Sequence, residues 1–513
     1  MLRILILSSF LAFSGTLSAQ STFSLEYHGG NGDEAVEVVE NASGDLVVLG
    51  YVFTTSNTDL VVSVVSQSGV LQQSLTFGTA EYELPKSITA TSDGGYFITG
   101  SIFNTPSDYD LLLVKLDSSF NTVFRKRFSI VGANENGNRG FEVAPGLYGV
   151  AGSIGLGGSA KPSYIIVDDN GDVRHQAYLN TNQFASPNYS GRYMGNGITA
   201  LVHLTNAFTL LDSSGAVAGT CATNIGLFTT DVLRTISGNY ACVAASDYGA
   251  PLGGSLSFAF IDSNLTSWSG GFKFKINAHD LVPVAMTQDG AGNLYIAANA
   301  TSLSSGNTFP LLVKTNSSGN LLWSRNYLPG GAPSAAFRQV RIAADGGILL
   351  CGNSGPWNNQ RLYVVKVDTA GTAPCNWAPY TLSPLAVSAI GQTQHTTATG
   401  TLPPSVILTG NPSSVTLVTD ALCTSGTTGG FEQGTRALRL QVLPTWIDEG
   451  FRIETELPGR MTIDVITTEG RLLARMTAAS GESVRTEEWS PGVYTLRINF
   501  STGETFVRRV VRK

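Results

Sequence analysis

Gly95-Tyr-Phe-Ile-Thr-Gly100 is a short apolar stretch that follows a polar turn, and six similar stretches recur along the 513-residue chain. The ends of successive stretches lie 42 to 54 residues apart. After each stretch come a variable loop, a second apolar run and, in most cases, a turn rich in Asp, Asn, Ser and Gly. These turn residues favour tight hairpins, because Asp, Asn and Ser bond their own backbone and Gly supplies positive φ. The other six stretches are Asp45–Gly50, Leu147–Gly152, Gly197–Val202, Asn239–Ala244, Asn293–Ala298 and Gly347–Gly352.

Each repeat contains enough apolar runs for four short strands. In the second repeat these are Ser87–Ala90 before the turn, Gly95–Gly100, Asp110–Leu116 and a run around Phe124. Four antiparallel strands in each of seven repeats predict a seven-bladed β-propeller, in which neighbouring blades cover one another. A β-solenoid is the alternative, although its repeats are usually shorter and its strands parallel. The repeats resemble the Asp/Gly-rich propeller repeats of secreted bacterial proteins, and loosely those of quinone enzymes, over residues 22–377.

The beginning of this region predicts how the ring closes. Phe23–Gly30 resembles Trp323–Gly331, which ends one repeat and begins the next. Residues 23–27 are therefore expected to form an outer strand that completes the last blade and removes an exposed edge.

The composition supports an all-β protein and argues against nucleic-acid binding. Only 13% of the residues are charged, there are 57 glycines, and the formal net charge is −7. A net negative charge argues against nucleic-acid binding, because a phosphate-binding surface needs clustered Lys and Arg.

The N-terminus is typical of a secretory signal. Arg3 precedes an apolar run over Ile4–Phe13, and small residues follow up to Ala19. The run is too short to span a bilayer, so a cleavable signal is preferred to a membrane anchor. No later segment is predicted to cross a membrane as a helix. The expected divisions are a signal at 1–19, the propeller at 20–377, an extension and linker at 378–430 whose strands pack on the last blade, and a C-terminal domain at 431–513.

The C-terminal domain shows a different periodicity. Strict alternation of apolar and polar residues over Phe451–Leu457 and Met461–Ile466 predicts half-buried strands of a small Ig-like β-sandwich. Three further features follow in order: a Gly-Arg-Leu turn, a Pro-Gly-Val-Tyr strand entry and a basic terminal strand. The residues concerned are Gly470, Arg471, Leu472, Pro491, Gly492, Val493, Tyr494, Arg508, Arg509 and Lys513.

In these features the domain resembles the C-terminal sorting domain of the bacterial type IX secretion system. The usual Tyr-Pro-Asn-Pro opening is absent, and Val442–Thr445 stands in its place. The resemblance implies a Gram-negative source, recognition by the type IX machinery and passage through the outer membrane. It also implies a destination at the cell surface or outside the cell, by way of the periplasm. An ordinary Ig-like accessory module is the alternative.

The five cysteines include no Cys-x-x-Cys pair, which disfavours zinc and thiol-redox motifs. Cys242 and Cys351 lie in apolar runs and are expected to be buried thiols. Cys375 and Cys423 bracket the irregular stretch after the last repeat, so a disulfide between them is predicted.

The sequence provides no catalytic, cofactor-binding or metal-ligating residue to name. The five histidines show no ligand spacing, and Asp168–Asp172 is better explained as a hairpin turn than as a calcium loop. Two functions remain: a binding, adhesion or scaffold protein for glycan or protein ligands, and a secreted hydrolase or lyase acting on polysaccharide or peptide. Three or more carboxylates or histidines converging at an axial mouth would favour the enzyme, and a mouth of Asn, Tyr and Ser would favour binding. The loops expected to surround the mouth are Phe103–Tyr109, Gly155–Pro162, Gly249–Ser255, Ser302–Thr308 and Gly355–Gln360.

Overall fold

The computed structural model describes most of the region from residue 20 to residue 385 and separate strands and turns beyond it. The signal predicted at 1–19 lies outside the described residues. All regular elements of the described part are β-strands, which confirms the all-β class. No helix long and apolar enough to cross a bilayer occurs in that part. The described ranges are 20–29, 32–54, 56–103, 108–129, 133–156, 159–179, 191–203, 207–222, 228–246, 253–356, 359–385, 397–398, 406–407, 413–414, 418–424, 440–443, 446–447, 450–455, 460–467, 472–486, 489–500 and 505–512.

Among these residues there are seven antiparallel sheets. Six of them are built from four successive strands each, and the last is built from three successive strands and the N-terminal strand. The first three sheets and the N-terminal strand comprise β1 (Phe23–His28), β2 (Glu34–Glu40), β3 (Leu46–Phe53), β4 (Thr58–Val65), β5 (Leu71–Phe77), β6 (Tyr82–Ala90), β7 (Tyr96–Phe103), β8 (Tyr109–Leu116), β9 (Thr122–Phe128), β10 (Glu135–Ala144), β11 (Leu147–Leu156), β12 (Ser159–Asp168) and β13 (Val173–Leu179). The next four comprise β14 (Gly191–Gly195), β15 (Ile198–His203), β16 (Ala207–Leu211), β17 (Val217–Ala222), β18 (Phe228–Arg234), β19 (Tyr240–Ser246), β20 (Ser255–Ile261), β21 (Trp268–Lys275), β22 (His279–Gln288), β23 (Leu294–Ser302), β24 (Thr308–Thr315), β25 (Leu321–Asn326), β26 (Ala335–Ile342), β27 (Ile348–Ser354) and β28 (Arg361–Val367).

The sheets form a closed ring. The first strand of each sheet contacts the first strand of the next, in the order β2, β6, β10, β14, β18, β22 and β26, and β26 contacts β2. This arrangement is a β-propeller, with the first strands around the axis and the fourth strands at the rim.

The hydrophobic core is divided among the junctions between sheets. One buried cluster joins the last sheet to the first, with Phe23 and Leu25 of β1 packed against Val48 and Cys351. Similar clusters lie between the other neighbouring sheets. Both faces of a middle strand are therefore covered, and every residue of β7 is buried. This explains the nearly continuous apolar runs in the sequence.

The N-terminal strand closes the last sheet as predicted. β1 pairs antiparallel with β28, with Phe23 opposite Lys366 and Tyr27 opposite Leu362. The last sheet thus joins the two ends of the repeat region, and β28 has no free outer edge along these residues.

Beyond the last repeat, six short strands add a fifth strand to six of the sheets. We call these the belt strands, and only the last of them joins the last sheet. The expectation that this stretch packs on the last blade was therefore wrong for the first five belt strands. They are β29 (Ala378–Pro379) on β25, β30 (Ser383–Leu385) on β21, β31 (Thr397–Ala398) on β13, β32 (Val406–Ile407) on β9, β33 (Ser413–Ser414) on β5 and β34 (Val418–Thr424) on β1.

The C-terminal region forms two further sheets around one core. A three-stranded sheet has the order β35-β37-β40, and a five-stranded sheet has the order β36-β42-β41-β38-β39. Phe451 and Val484 of the first sheet pack with Ile463 and Leu496 of the second. The strands are β35 (Leu440–Leu443), β36 (Trp446–Ile447), β37 (Gly450–Thr455), β38 (Met461–Thr467), β39 (Leu472–Ala478), β40 (Ser483–Arg485), β41 (Gly492–Phe500) and β42 (Thr505–Arg512).

Candidate functional site

The first strand of every sheet contains a β-bulge. The register of β2 with β3 shifts between Ala35 and Glu37, and that of β26 with β27 shifts between Phe337 and Gln339. Corresponding shifts occur in β6, β10, β14, β18 and β22. A bulge inserts one residue and redirects the side chains beside it. In this ring the redirected polar side chains reach the neighbouring first strands.

Side chains beside the bulges join neighbouring sheets through backbone N–H groups. Glu37 Oε2 accepts a hydrogen bond from the N–H of Ile88 at 3.0 Å. Asp231 Oδ2 accepts one from the N–H of Met286 at 2.9 Å. Ser87 Oγ in β6 accepts a hydrogen bond from the N–H of Gly140 in β10, the first strand of the next sheet, at 3.2 Å. These contacts leave the two buried carboxylates in fixed positions near the axis.

A cavity of about 490 Å³ lies at the end of the ring where the first strands finish. Six of the seven first strands contribute to its wall, so it is axial, and its volume suits a small organic molecule. Its lining contains arginines, threonines, a glutamine, a tyrosine and apolar side chains. The residues are Thr89, Arg139, Gly140, Phe141, Arg192, Tyr193, Met194, Leu233, Arg234, Ile236, Thr287, Gln288 and Arg341.

Two of the arginines share one carboxylate oxygen. Arg139 Nη2 lies 3.1 Å from Glu37 Oε1, and Arg341 Nη2 donates a hydrogen bond to the same oxygen. Glu37 itself is buried, with 1% of its side chain exposed. Because both guanidinium groups contact one atom, they are close neighbours on the cavity wall.

The third arginine lies on β14, the first strand next to that of Arg139. Arg192 Nη2 donates to the carbonyl oxygen of Met286 at 2.9 Å and lies 3.4 Å from Asp231 Oδ2. Arg192 belongs to β14 and Met286 to β22, so this side chain extends past β18. It connects sheets that are not neighbours in the ring.

The electrostatics of the wall reflect this convergence of charge. Burial opposes ionisation of Glu37, but the charges of Arg139 and Arg341 and the hydrogen bonds to its oxygens hold its pKa below the usual value. Burial lowers the pKa of Arg139, the charge of Glu37 raises it, and the charges of Arg341 and Arg192 lower it further. The three guanidinium groups are therefore close enough to repel one another.

The rest of the wall is aromatic and apolar. Phe141 and Tyr193 stack with ring centroids 6.1 Å apart and planes 12° from parallel. Leu233 and Met194 add buried surface, while Ile236 is 66% exposed. The cavity thus combines a cationic side with an apolar one.

The loops named from the sequence lie in part outside the described residues. The described strands that flank each of them are the second and third strands of a sheet, and these strand ends lie at the other end of the ring from the cavity. The cavity instead lies where the first strands end, and it includes Ile236 of the turn Thr235–Asn239 between β18 and β19. Loop length did not predict the cavity, because its wall is built from the first strands. The signal in the sequence is an arginine in the first strand of four repeats.

One sequence interpretation in a turn is confirmed. The carbonyl oxygen of Asp168 accepts a hydrogen bond from the N–H of Gly171 at 2.8 Å. The N–H of Asp168 donates to the carbonyl oxygen of Asp172 at 3.0 Å. Its side chain accepts hydrogen bonds from Asn170 and Asp172, as in an ordinary hairpin turn. No group of three or more metal-ligating side chains occurs in the described ranges.

The cysteines behave partly as expected. Cys242 and Cys351 are buried thiols, as predicted, and Cys221 is also buried and not disulfide-bonded. Cys375 is disulfide-bonded. The side chain of Cys423 lies outside the described residues, so its pairing with Cys375 stays a prediction.

The motif residues of the C-terminal region are distributed over two strands and their approaches. Leu472 begins β39 with 54% exposure, and Gly492 begins β41 after Pro491. Tyr494 donates its hydroxyl to the carbonyl oxygen of Ser490 at 2.6 Å and packs on Trp489. The remaining motif positions are described only as backbone or not at all. Val493, Arg508 and Arg509 have described backbone in β41 and β42, while Gly470, Arg471 and Lys513 lie outside the described residues.

No family model matches the chain, and no curated protein matches it in sequence. Several solved structures are similar. The WD40 β-propeller domain of Doa1 is 10% identical with a TM-score of 0.41, and the alignment covers 68% of this chain and 97% of that domain. BamB of Moraxella catarrhalis is 10% identical with a TM-score of 0.36, covering 67% and 91% of the two chains. A protein of unknown function from Bacteroides caccae is 12% identical with a TM-score of 0.34, covering 58% and 94%.

Proposed function

We propose that the chain is an exported bacterial binding protein. In this proposal a seven-bladed β-propeller presents a ligand site at its axis, and an Ig-like C-terminal domain directs the chain through the type IX machinery. The mature protein is then released from the cell or displayed on its surface as a binding, adhesion or scaffold module.

The axial cavity is the observation that supports a binding role. Its wall combines arginine, threonine and glutamine side chains with the apolar surfaces of Phe141 and Leu233. A few polar groups on an apolar wall are typical of small-molecule sites. The polar groups are held by ion pairs and backbone hydrogen bonds, so the site is formed without a ligand.

A hydrolase or lyase is the second candidate, and the cavity supports it less well. Its lining residues include no carboxylate and no histidine. The two nearby carboxylates, Glu37 and Asp231, are engaged by arginines and backbone N–H groups. General acid-base catalysis needs a group that can reach a substrate proton, and neither carboxylate is exposed to the cavity in that way.

Binding is tested on the mature chain, residues 20–513. We expect labelled protein to bind selected glycans on an array, and Ile236→Asp to reduce the signal by changing the apolar rim of the cavity. Leu322→Asp, at an exposed position on the outer strand β25, is the matched control. No binding above background, or equal loss in both variants, would contradict a site at the axis.

Export is tested separately in a host that has a type IX system. Deletion of residues 431–513 is expected to leave the protein in the periplasm, whereas the full chain reaches the surface or medium. Cell fractionation with immunodetection of the propeller measures the difference. Unchanged appearance outside the cell after the deletion would contradict the sorting role and leave the binding role untouched.

A further inference from the structure

The cationic side of the cavity has more positive than negative charge. Among the described residues, the ion pairs of Arg139, Arg192 and Arg341 involve two carboxylates, Glu37 and Asp231, so the three guanidinium groups outnumber their partners by one positive charge. Arg234 adds another at the rim. The wall of the cavity is therefore positively charged although the overall net charge of the protein is −7.

The arginines also have hydrogen-bonding capacity left. Each guanidinium group has five N–H donors in a planar fork. Nε of Arg341 is buried and has no partner among the described residues. Arg192 uses one terminal nitrogen for both Met286 and Asp231. A buried donor without a partner is unfavourable, and an added acceptor would relieve that cost.

We propose that the cavity binds a small organic oxyanion whose carboxylate or sulfate group is held by Arg139, Arg192 and Arg341. This inference rests on the proposed binding function and names its ligand class. Arg matches the geometry of planar oxyanions through paired hydrogen bonds. The body of the ligand packs on the apolar side, against Phe141 and Leu233.

Titration calorimetry of the mature chain tests the charge requirement with three sugars of similar size. Glucuronate presents a carboxylate, glucose 6-sulfate presents a sulfate, and glucose is neutral. We expect one or both of the anionic sugars to bind and glucose not to bind. Binding of one anion alone identifies which group the site prefers, and added salt should weaken it.

Variants locate the anion on the cavity wall. Arg192→Gln and Arg341→Lys are each expected to weaken binding of the anionic sugar by about tenfold or more. Arg174→Gln, at an exposed ion pair on the outer strand β13, is the control and should not change it. Cooperative thermal unfolding with a midpoint above the assay temperature shows that the variants are folded.

Three outcomes would overturn the inference. They are binding of glucose with the same affinity as the anionic sugar that binds, no binding of either anionic sugar, and equal affinity of the Arg192→Gln and wild-type proteins for that anionic sugar. The proposed binding function is decided by the glycan array, so a positive array with any of these outcomes rejects only the anionic ligand.

A different observation supports a second inference, about the belt strands. β29, β30, β31, β32, β33 and β34 pair with the outer strands of successive sheets in the reverse of their chain order. They begin on the sixth sheet, pass the fifth, third, second and first, and end on the last. After the last sheet, the chain therefore runs back around the rim in the direction opposite to the order of the sheets in the sequence.

The spacing of these strands is compatible with an extended path. Successive belt strands begin between 5 and 14 residues apart, and the longest step passes one sheet. An extended chain spans about 3.3 Å per residue, so a step of about seven residues reaches about 23 Å. That distance suits neighbouring outer edges of a propeller.

We propose that a disulfide between Cys375 and Cys423 closes this path into a covalent loop around the ring. Cys375 is disulfide-bonded and precedes the first belt strand by three residues. Cys423 lies in β34, opposite Ser24 of β1. The three other cysteines of the sequence are buried and form no disulfide. The loop would form after the chain reaches an oxidising compartment.

Peptide mapping without reduction tests the pairing, and thermal unfolding tests its effect. A cross-linked peptide containing both cysteines is expected from the mature chain. A reductant should lower the thermal midpoint of the wild type by about 5 °C, because closing a loop of this length restricts the unfolded chain. The Cys375→Ser/Cys423→Ser variant should not respond. A cross-link to another cysteine, or equal responses of the two proteins, would overturn the proposal.

Discussion

The carboxylate of Glu37 and the guanidinium group of Arg341 form an ion pair although 304 residues separate them in the sequence. They join β2 to β26, the first strands of the first and last sheets. Gln339 donates a second hydrogen bond to Glu37 at 3.1 Å. The ring is thus closed by polar contacts near its axis and by β1 near its rim, and the two closures can be tested apart.

Glu37→Gln tests the axial closure. The substitution removes a buried negative charge with which Arg139 and Arg341 both form ion pairs. We expect the free energy of unfolding to fall by about 3 kcal/mol, measured by urea denaturation, because breaking a buried ion pair leaves a charge uncompensated.

Glu40→Gln is the control for this variant. Glu40 joins the same two sheets, accepting the N–H of Ala344 at 2.6 Å, but the contact is exposed. Its substitution is expected to cost less than about 1 kcal/mol. Equal losses for Glu37 and Glu40 would contradict the importance of burial at the axis.

Leu25→Ala tests the closure at the rim. Leu25 is 1% exposed in the cluster between the last and first sheets, so the change should cost about 3 kcal/mol. Leu322→Ala, at a half-exposed position in β25, is the matched control and should cost less than about 0.5 kcal/mol. Calorimetry measures both. A loss no greater than the control would mean that β1 does not hold the ring closed.

The repeats could be predicted because each strand and turn is determined by neighbouring residues. The turn at Thr91–Gly95 contains its own Asp and Gly, and the strand after it is apolar because both of its faces are covered. The pairing of β1 with β28 was also predictable, because Phe23–Gly30 repeats a pattern found at Trp323–Gly331. Local patterns and their repetition therefore predicted the sheets and one long-range contact.

The belt strands and the cavity were not predictable in the same way. Ser413 and Ser414 pair with Thr76 and Leu75 through backbone groups, so no side-chain pattern marks the contact. Arg139 and Arg341 meet at Glu37 only because the ring brings three distant strands together. Such sites depend on which sheets become neighbours, and that information is absent from a single strand.

Stability should depend on pH through Glu83. Burial raises the pKa of this side chain. The hydrogen bond from Thr79 and the charge of Arg125 lower it, but burial is the larger effect and the pKa is about 7. The folded state therefore keeps a proton that the unfolded state releases near pH 4.5. The stabilisation is present below that pH and is lost as the pH rises to about 7, by about 3 kcal/mol.

Glu83→Gln should remove most of this pH dependence. Unfolding by urea between about pH 4.5 and about pH 8 measures the slope for wild type and variant. Glu142→Gln, an exposed position that bonds Ser92, is the control and should retain the wild-type slope. A wild-type protein that becomes more stable across this range would contradict the protonated state of Glu83.

In the C-terminal region, Asp464 should make stability sensitive to acid. Hydrogen bonds from Arg475 and Arg497 lower its pKa to about 2. A depressed pKa gives stabilisation that is present above the usual value of 3.8 and is lost as the pH falls towards 2. Asp464→Asn should lower the thermal midpoint at neutral pH and flatten the decline of the midpoint in acid. The fluorescence of the buried Trp489 measures the unfolding of this region.

Glu482→Gln, which breaks an exposed ion pair with Arg460, is the control. It should change neither the thermal midpoint at neutral pH nor its decline in acid. Equal acid sensitivity of Asp464→Asn and wild type would show that this carboxylate is not the group that titrates.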